Sequence, residues 1–257
     1  MLGLLLIAAA APPMFACDFE GPGPIASFDR AHRVDRFSIV HDPADAGNRA
    51  LRVDVGAGDH YGGSLSVQTA RRLPEEPRSL YFSYRLRMGE DWDPAQGGKL
   101  PGFGGTYGRA GWGGKPSNGR NGWSARGQFF TSRDGRVPVG SYVYHADMVE
   151  DGRTYGVSVP WDAALERGRW YTIEQQITLD TIGPEGGRGD ARLRAWVDGA
   201  LVFDRSDLHV RDTDDLRIER VWLNIYHGGK MPAPADMHLL IDDVVVRTER
   251  PGPQVPP

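Results

Sequence analysis

The sequence predicts an all-β protein, an antiparallel β-jelly roll sandwich in a single domain. Three observations predict it. Short segments alternate apolar and polar residues with period two, the pattern of strands that bury one face. Turn formers are abundant, with 34 glycines and 19 prolines in 257 residues, which leaves room for few long helices. Helical periodicity is nearly absent, so the strands follow one another without the interposed helices that a parallel sheet needs.

The chain begins "MLGLLLIAAAAPPMFAC". An apolar run ending in small residues reads as a secretory signal peptide over residues 1–16. It is shorter than the roughly 20 apolar residues of a membrane-spanning helix, and no later stretch is apolar enough to span. An exported protein, periplasmic or extracellular, is expected. Cys17 is the only cysteine, so no internal disulfide forms. Its place after the apolar run allows two readings, a lipidated first residue or a lone thiol near a cleavage site.

From Cys17 the strand candidates follow in order: "RALRVDVG" (49–56), "SLSVQTA" (64–70), "LYFSYRLRM" (80–88), "GWSARGQFFTS" and "VGSYVYHA". Next come "GRWYTIEQQITL" (168–179), "ARLRAWVDGALVFD" (191–204), "ERVWLNIYHGG" (219–229) and "MHLLIDDVVVRTE" (237–249). Asp198-Gly199 between two apolar runs is a strong hairpin signal. "DAALERG" (162–168) reads as one or two helical turns, and Asp242 and Asp243 as the edge of a closing core strand. The domain is placed at 17–250, and the tail 251–257, "PGPQVPP", cannot join a sheet and reads as disordered.

The formal net charge of −4 gives no global reason to expect a nucleic-acid partner. The charge is uneven, however. Between Gly97 and Arg136 stand Lys99, Arg109, Lys115, Arg120, Arg126, Arg133 and Arg136 against the single acid Asp134. Such an island in an acidic chain points to an anionic ligand. Tyr107, Trp112 and Trp123 lie in the same stretch, with faces suited to sugar rings. Its first part, "GGKLPGFGG" (97–105), reads as a flexible loop displaying Lys99.

Two strands then carry paired polar residues. Ser124 and Arg126 are two apart, as are Tyr142 and Tyr144, and in a strand such pairs share a face. On one concave face they bring together a hydroxyl, a guanidinium and two phenols, with Lys99 at the rim. "NIYHGG" adds Asn224, Tyr226 and His227 as candidates for the same cleft. His145 alternates away from it.

Lys99 within "GGKLPG", then Ser-x-Arg, then Tyr-x-Tyr, in this order and at this spacing, resembles polysaccharide lyase family 14, the alginate and glucuronan lyase group. The resemblance runs from Asp18 to Val246. It implies a concanavalin-like β-jelly roll. It also implies an enzyme that cuts an anionic uronic-acid polymer by β-elimination, leaving a C4–C5 double bond. Position by position, the family's functional residues fall on Lys99, Ser124, Arg126, Tyr142 and Tyr144. Some members carry a histidine shortly before the serine, where this chain has Asn118.

The elimination needs a cation on the carboxylate, a base for the C5 proton and an acid for O4. Arg126 is assigned to the carboxylate and Tyr142 to proton transfer. Lys99 activates Tyr142, neutralises the carboxylate or is itself the base, and Tyr144 positions the sugar or shares the acid role. An unperturbed phenol, with a pKa of about 10, is a poor base, and neighbouring cations are expected to lower it. Ser124, Asn118, Arg120, Trp112, Asn224, Tyr226 and His227 are assigned to substrate binding. No metal spacing, P-loop or dinucleotide fingerprint occurs. No cofactor is expected, and a structural Ca²⁺ at Asp242–Asp243 has no ligand spacing behind it. The partner is an anionic polysaccharide and the protein is expected to be a monomer. The alternative is a non-catalytic module that binds acidic polysaccharide. A glycoside hydrolase ranks last, because the island and the two polar strands offer only Asp134 and Asp147 as its carboxylates.

Overall fold

A computed structural model describes residues 12–94, 96–229 and 231–251. Most of the stretch read as a signal peptide, and nearly all of the tail, lie outside the described residues. Strands run in chain order as β1 (Phe15–Cys17), β2 (Arg30–His32), β3 (Phe37–Asp42), β4 (Asp45–Val55), β5 (Tyr61–Gln68) and β6 (Ser79–Met88). They continue as β7 (Gly98–Gly105), β8 (Trp123–Phe129), β9 (Arg136–Tyr144), β10 (Val157–Glu166) and β11 (Trp170–Thr178). Last come the short pair β12 (Ile182–Gly183) and β13 (Gly186–Gly187), then β14 (Ala191–Val197), β15 (Ala200–Leu208), β16 (Arg220–His227) and β17 (Met237–Arg247).

Two antiparallel sheets face each other. One has the order β15-β14-β11-β6-β17-β4-β3, with β1 also on β17, and the other β10-β9-β8-β7-β16-β5-β2. Consecutive strands pair in β7-β8-β9-β10, β3-β4 and β14-β15, while β16, β17, β6 and β11 join distant parts of the chain, and the two facing sheets make the jelly-roll sandwich that the alternation predicts. Inward residues of both sheets, among them Leu51, Phe82, Leu86, Phe103, Leu193 and Ile241, form one core. That core fixes which face of the second sheet is left for a ligand.

Two expectations are corrected. Residues 162–168 form no helix, because Val157–Glu166 pairs antiparallel with β9 and closes that edge of the sheet. Leu165 points into the core, fully buried. A short helical pattern yields where an open sheet edge offers backbone partners. Asp242 is not at an edge either. It lies in the middle of its sheet, between β6 and β4, fully buried, and accepts from Asn48 Nδ2 at 2.9 Å. Burial pushes its carboxyl up to about 6.

At the amino-terminal side, β1 pairs Phe15 with Val246 and Cys17 with Val244. Phe15 is buried and its ring centroid lies 4.9 Å from that of Phe28. The residues just before Cys17 are thus part of the sandwich. Burial also raises the pKa of the Cys17 thiol, which makes it a weak nucleophile. Phe15→Ala should lower stability by about 3 kcal/mol, the usual cost of emptying a phenylalanine site. Urea unfolding read by tryptophan fluorescence measures it. No helix among the described residues is long and apolar enough to cross a membrane.

Candidate active site

The outer face of the seven-stranded sheet carries a cleft of about 780 Å³. "GGKLPGFGG" is not a loop but the central strand β7, between β8 and β16. Its glycines serve close packing: a Cβ on Gly102 would collide with the Ala125 carbonyl and lie 2.6 Å from Arg126 Cα. Proline gives this strand a second property. Leu100 pairs with Gly127, but Gly102 pairs with Arg126, so Pro101 is one extra residue, a bulge. Leu100 therefore points into the core while both Lys99 and Gly102 face the cleft. Gln175, fully buried in the opposite sheet, donates from Nε2 to the Pro101 carbonyl at 2.8 Å and fixes the bulge from below.

Strand pairing sets the remaining side chains in rows. Arg126 pairs with Tyr142, Ser124 with Tyr144, and Lys99 with both Gln128 and Tyr226. The Lys99 Nζ lies 3.5 Å from the centroid of the Tyr142 ring. The Tyr142 and Tyr144 rings meet edge to face at 5.7 Å. Gly156 admits them both, since a Cβ there would stand 2.8 Å from Tyr144 and 2.9 Å from Tyr142. Arg126, 6 % exposed, donates from Nη1 to Asn224 Oδ1 at 2.9 Å, and Asn224 donates to the Tyr61 hydroxyl at 3.1 Å. The Arg126 Nε–H is buried without a partner. A buried donor left unsatisfied in a cleft is a place for a ligand acceptor.

Burial governs the titrations. It pulls the Lys99 amine down to about 7, with Arg126 adding to the effect. It pushes Tyr142 up to about 12, helped by Tyr144 and opposed by Arg126. Tyr142 thus moves opposite to the sequence expectation, because desolvation outweighs the neighbouring guanidinium. The group that can give up its proton near neutral pH is the lysine, which titrates there, and the group that holds its proton is the tyrosine.

The structure brings Lys99, Arg126, Tyr142, Tyr144, Trp112, Asn224 and Tyr226 to the cleft wall. It does not bring the others. Ser124 is fully buried, and its hydroxyl donates to the Gly111 carbonyl at 2.6 Å, tying down the 106–122 loop. Asn118 lies exposed in a turn, where its Oδ1 accepts from the Arg120 backbone at 3.0 Å. Arg120 is exposed outside the cleft. His227 faces the interior, fully buried, against the Asp93 carbonyl at 2.7 Å. Trp123 is a core residue and Tyr107 bonds Glu76. The basic island disperses: of its seven cations only Lys99 and Arg126 line the cleft.

Sequence reasoning missed Tyr61, Tyr155, Trp222, Arg220, Arg30 and His32, which also line it. A signal for two of them, Arg220 and Trp222, was present. Arg220, Trp222, Asn224 and Tyr226 alternate along one strand and so share a face. No aspartate or glutamate is among the lining residues. Asp134 sits in an exposed turn with Ser132, and Asp147 is held by His209 at 2.6 Å. The paired carboxylates of a glycoside hydrolase are therefore lacking from this cleft.

The fold is similar to solved structures of known lyases. They include a PL-14 alginate lyase from Aplysia kurodai, at 17 % identity and TM-score 0.74 over 93 % of this chain and 100 % of that one. Alginate lyase Aly36B matches at 21 % identity and TM-score 0.72 over 93 % and 99 %. An endo-β-1,4-glucuronan lyase from the fungus Trichoderma reesei matches at 18 % and 0.62 over 93 % and 96 %. A search of curated proteins found no match. The sequence itself matches Polysaccharide lyase 14 over residues 45–238, and on that span, which holds Lys99, Arg126 and both tyrosines of the cleft, the chain belongs to polysaccharide lyase family 14.

Proposed function

We propose that the protein cleaves a uronic-acid polymer of the alginate or glucuronan type by β-elimination. One observation carries the reading. A cleft without a carboxylate among its lining residues holds an amine that titrates near pH 7 against a tyrosine that keeps its proton, beside a buried guanidinium with a free Nε–H.

The steps follow from these positions. The sugar carboxylate docks on Arg126, whose buried charge strengthens as negative charge spreads from C5 onto that group. Lys99 takes the C5 proton. The electron pair forms the C4–C5 double bond as the C4–O4 bond breaks, and Tyr142 delivers its proton to the departing O4. Lys99 ends protonated and Tyr142 ionised; the amine stands 3.5 Å from the centre of the phenol ring, and exchange with solvent after product leaves returns the proton to the phenolate and resets the pair. Tyr144 braces Tyr142, and Trp112 and Tyr226 bound the sugar path. An exported protein is consistent with a polymer substrate that does not enter cells.

Ultraviolet absorbance during incubation with polymannuronate, polyguluronate, glucuronan and a glycosaminoglycan tests this reading. A rise on one of the first three is expected. Tyr142→Phe should reduce that rate by at least a hundredfold, in the range of lost acid–base catalysis, with an unchanged thermal transition. A flat trace on every polymer, with the protein folded and binding one of them, would replace the lyase by a binding module.

A further inference from the structure

The residues from Tyr142 toward the far edge of the sheet form a straight line. Arg126 pairs with Gly102, Gly102 with Trp222, Trp222 with Ser66, and Ser66 with Arg30. The line crosses β8, β7, β16, β5 and β2, four strand spacings. At about 4.8 Å each, Arg30 stands roughly 19 Å from Arg126. Trp222 lies between two guanidinium groups, with Arg126 at 5.0 Å and Arg220 at 4.7 Å from its ring. In the other direction Tyr142 is followed by a single strand, β10. Tyr142 therefore sits one strand from the end of the sheet, Lys99 reaches its amine over that ring from the central strand, and the longer arm of the cleft extends to the other end.

That arm is built for anions. Its two cations, Arg220 and Arg30, come from outside the basic island and both line the cleft. Arg220 is anchored by Thr106 Oγ1, approaches Glu219 at 3.5 Å, and leaves its Nε–H buried without a partner. Its side chain is only 13 % exposed. Arg30 is exposed on the edge strand, and no acid pairs with it among the described residues. Each of these cations would otherwise be a cost, one by desolvation and the other by repelling its neighbour. The flat Trp222 ring lies against both Arg126 and Arg220.

Resting on the lyase reading above, we propose that Arg220 and Arg30, with Trp222 between Arg126 and Arg220, form an extended subsite for further carboxylates of the same chain. The site then engages several acidic sugars on one side of the scissile bond, and few on the other. Efficiency rises with substrate length until the oligomer reaches from Arg126 to Arg30. Longer oligomers gain nothing more from this arm.

The test uses the whole protein and a purified ladder of oligouronates of the polymer that it cleaves, assayed by absorbance at low salt. The wild type is expected to show kcat/KM rising with length to a plateau. Arg30→Glu should lower the plateau about fivefold, mostly through KM, and change the ratio of long to short substrates in favour of the short. Arg220→Gln should lower it tenfold or more, and added salt should shrink the effect of Arg30→Glu. Equal rates at every length, or equal losses on the shortest and longest substrates, would overturn the arm. If no polymer is cleaved, affinity electrophoresis in a polyuronate gel separates the two ideas. Weaker retardation of Arg30→Glu and Arg220→Gln than of the wild type keeps the arm without the lyase. Unaltered retardation removes the arm by itself.

Discussion

Lys99→Ala is expected to lower kcat by a factor of about 10³ or more, within the span attributed to a positioned base plus the geometry it enforces. Lys99→Arg should do the same, because a guanidinium does not give up its proton. The pH profile makes the assignment specific. The free-enzyme amine titrates at about 7, and only its unprotonated form accepts a proton. So kcat/KM should fall tenfold per pH unit as the pH drops below about 7, and level off above it. A bound carboxylate favours the protonated amine, so the limb in kcat should lie at higher pH than the limb in kcat/KM. Had Tyr142 been the base, the rate would climb toward its pKa of about 12 with no plateau near neutrality. A profile of that form, or a Lys99→Ala variant within tenfold of the wild type, would move the base elsewhere.

Arg126→Lys is expected to cost two to three powers of ten in kcat, the loss typical of removing one stabiliser of developing charge. The charge is retained, but the fork that binds a carboxylate through two N–H groups is lost. The split between constants is the diagnostic. Negative charge on the carboxylate group grows between ground state and transition state, so kcat should fall more than KM rises. A variant with normal kcat and only a raised KM would reduce Arg126 to a binding residue. Its fold should persist, because among the described residues Asn224 is the one hydrogen-bond partner that the Arg126 side chain gives up, and a lysine reaches the same face.

Much of this site was legible in the sequence, and the reasons are local. Arg126 and the two tyrosines obey the two-residue periodicity of a strand, which needs no knowledge of the neighbours. Lys99 was legible as a residue and not as a place. Its glycine-rich surroundings signal a loop, yet a central strand needs glycine too, where backbones approach as closely as Gly102 and Arg126 do. Ser124 shows the limit of the periodicity rule. It shares a face with Arg126, but the 106–122 loop folds across its end of the strand and takes the hydroxyl for Gly111. The loop stays there because Glu219 accepts from the backbone of Thr106 and Tyr107, both at 2.9 Å, a contact between residues over a hundred positions apart. The place of Trp222, Arg220 and Arg30 was hidden for a related reason: strand order, not sequence order, puts β16 next to β7 and carries β2 to the far edge of the same sheet. Counting charge along the chain gathered seven cations into an island that the fold then scattered.

The extra residue at Pro101 has a consequence for how such an enzyme can diverge. Loops at the rim can lengthen, shorten or change composition, and the chemistry keeps its address. Between Gly98 and Gly102 the chain has no such freedom, because position there is a matter of parity. A residue gained between Leu100 and Gly102, with the bulge kept, exchanges inside for outside, sending a charged amine toward the core and a leucine into the cleft, whereas loss of Pro101 alone restores simple alternation and leaves both where they are. Descent can therefore revise what the protein grips far more readily than the odd or even count by which its amine reaches the sugar.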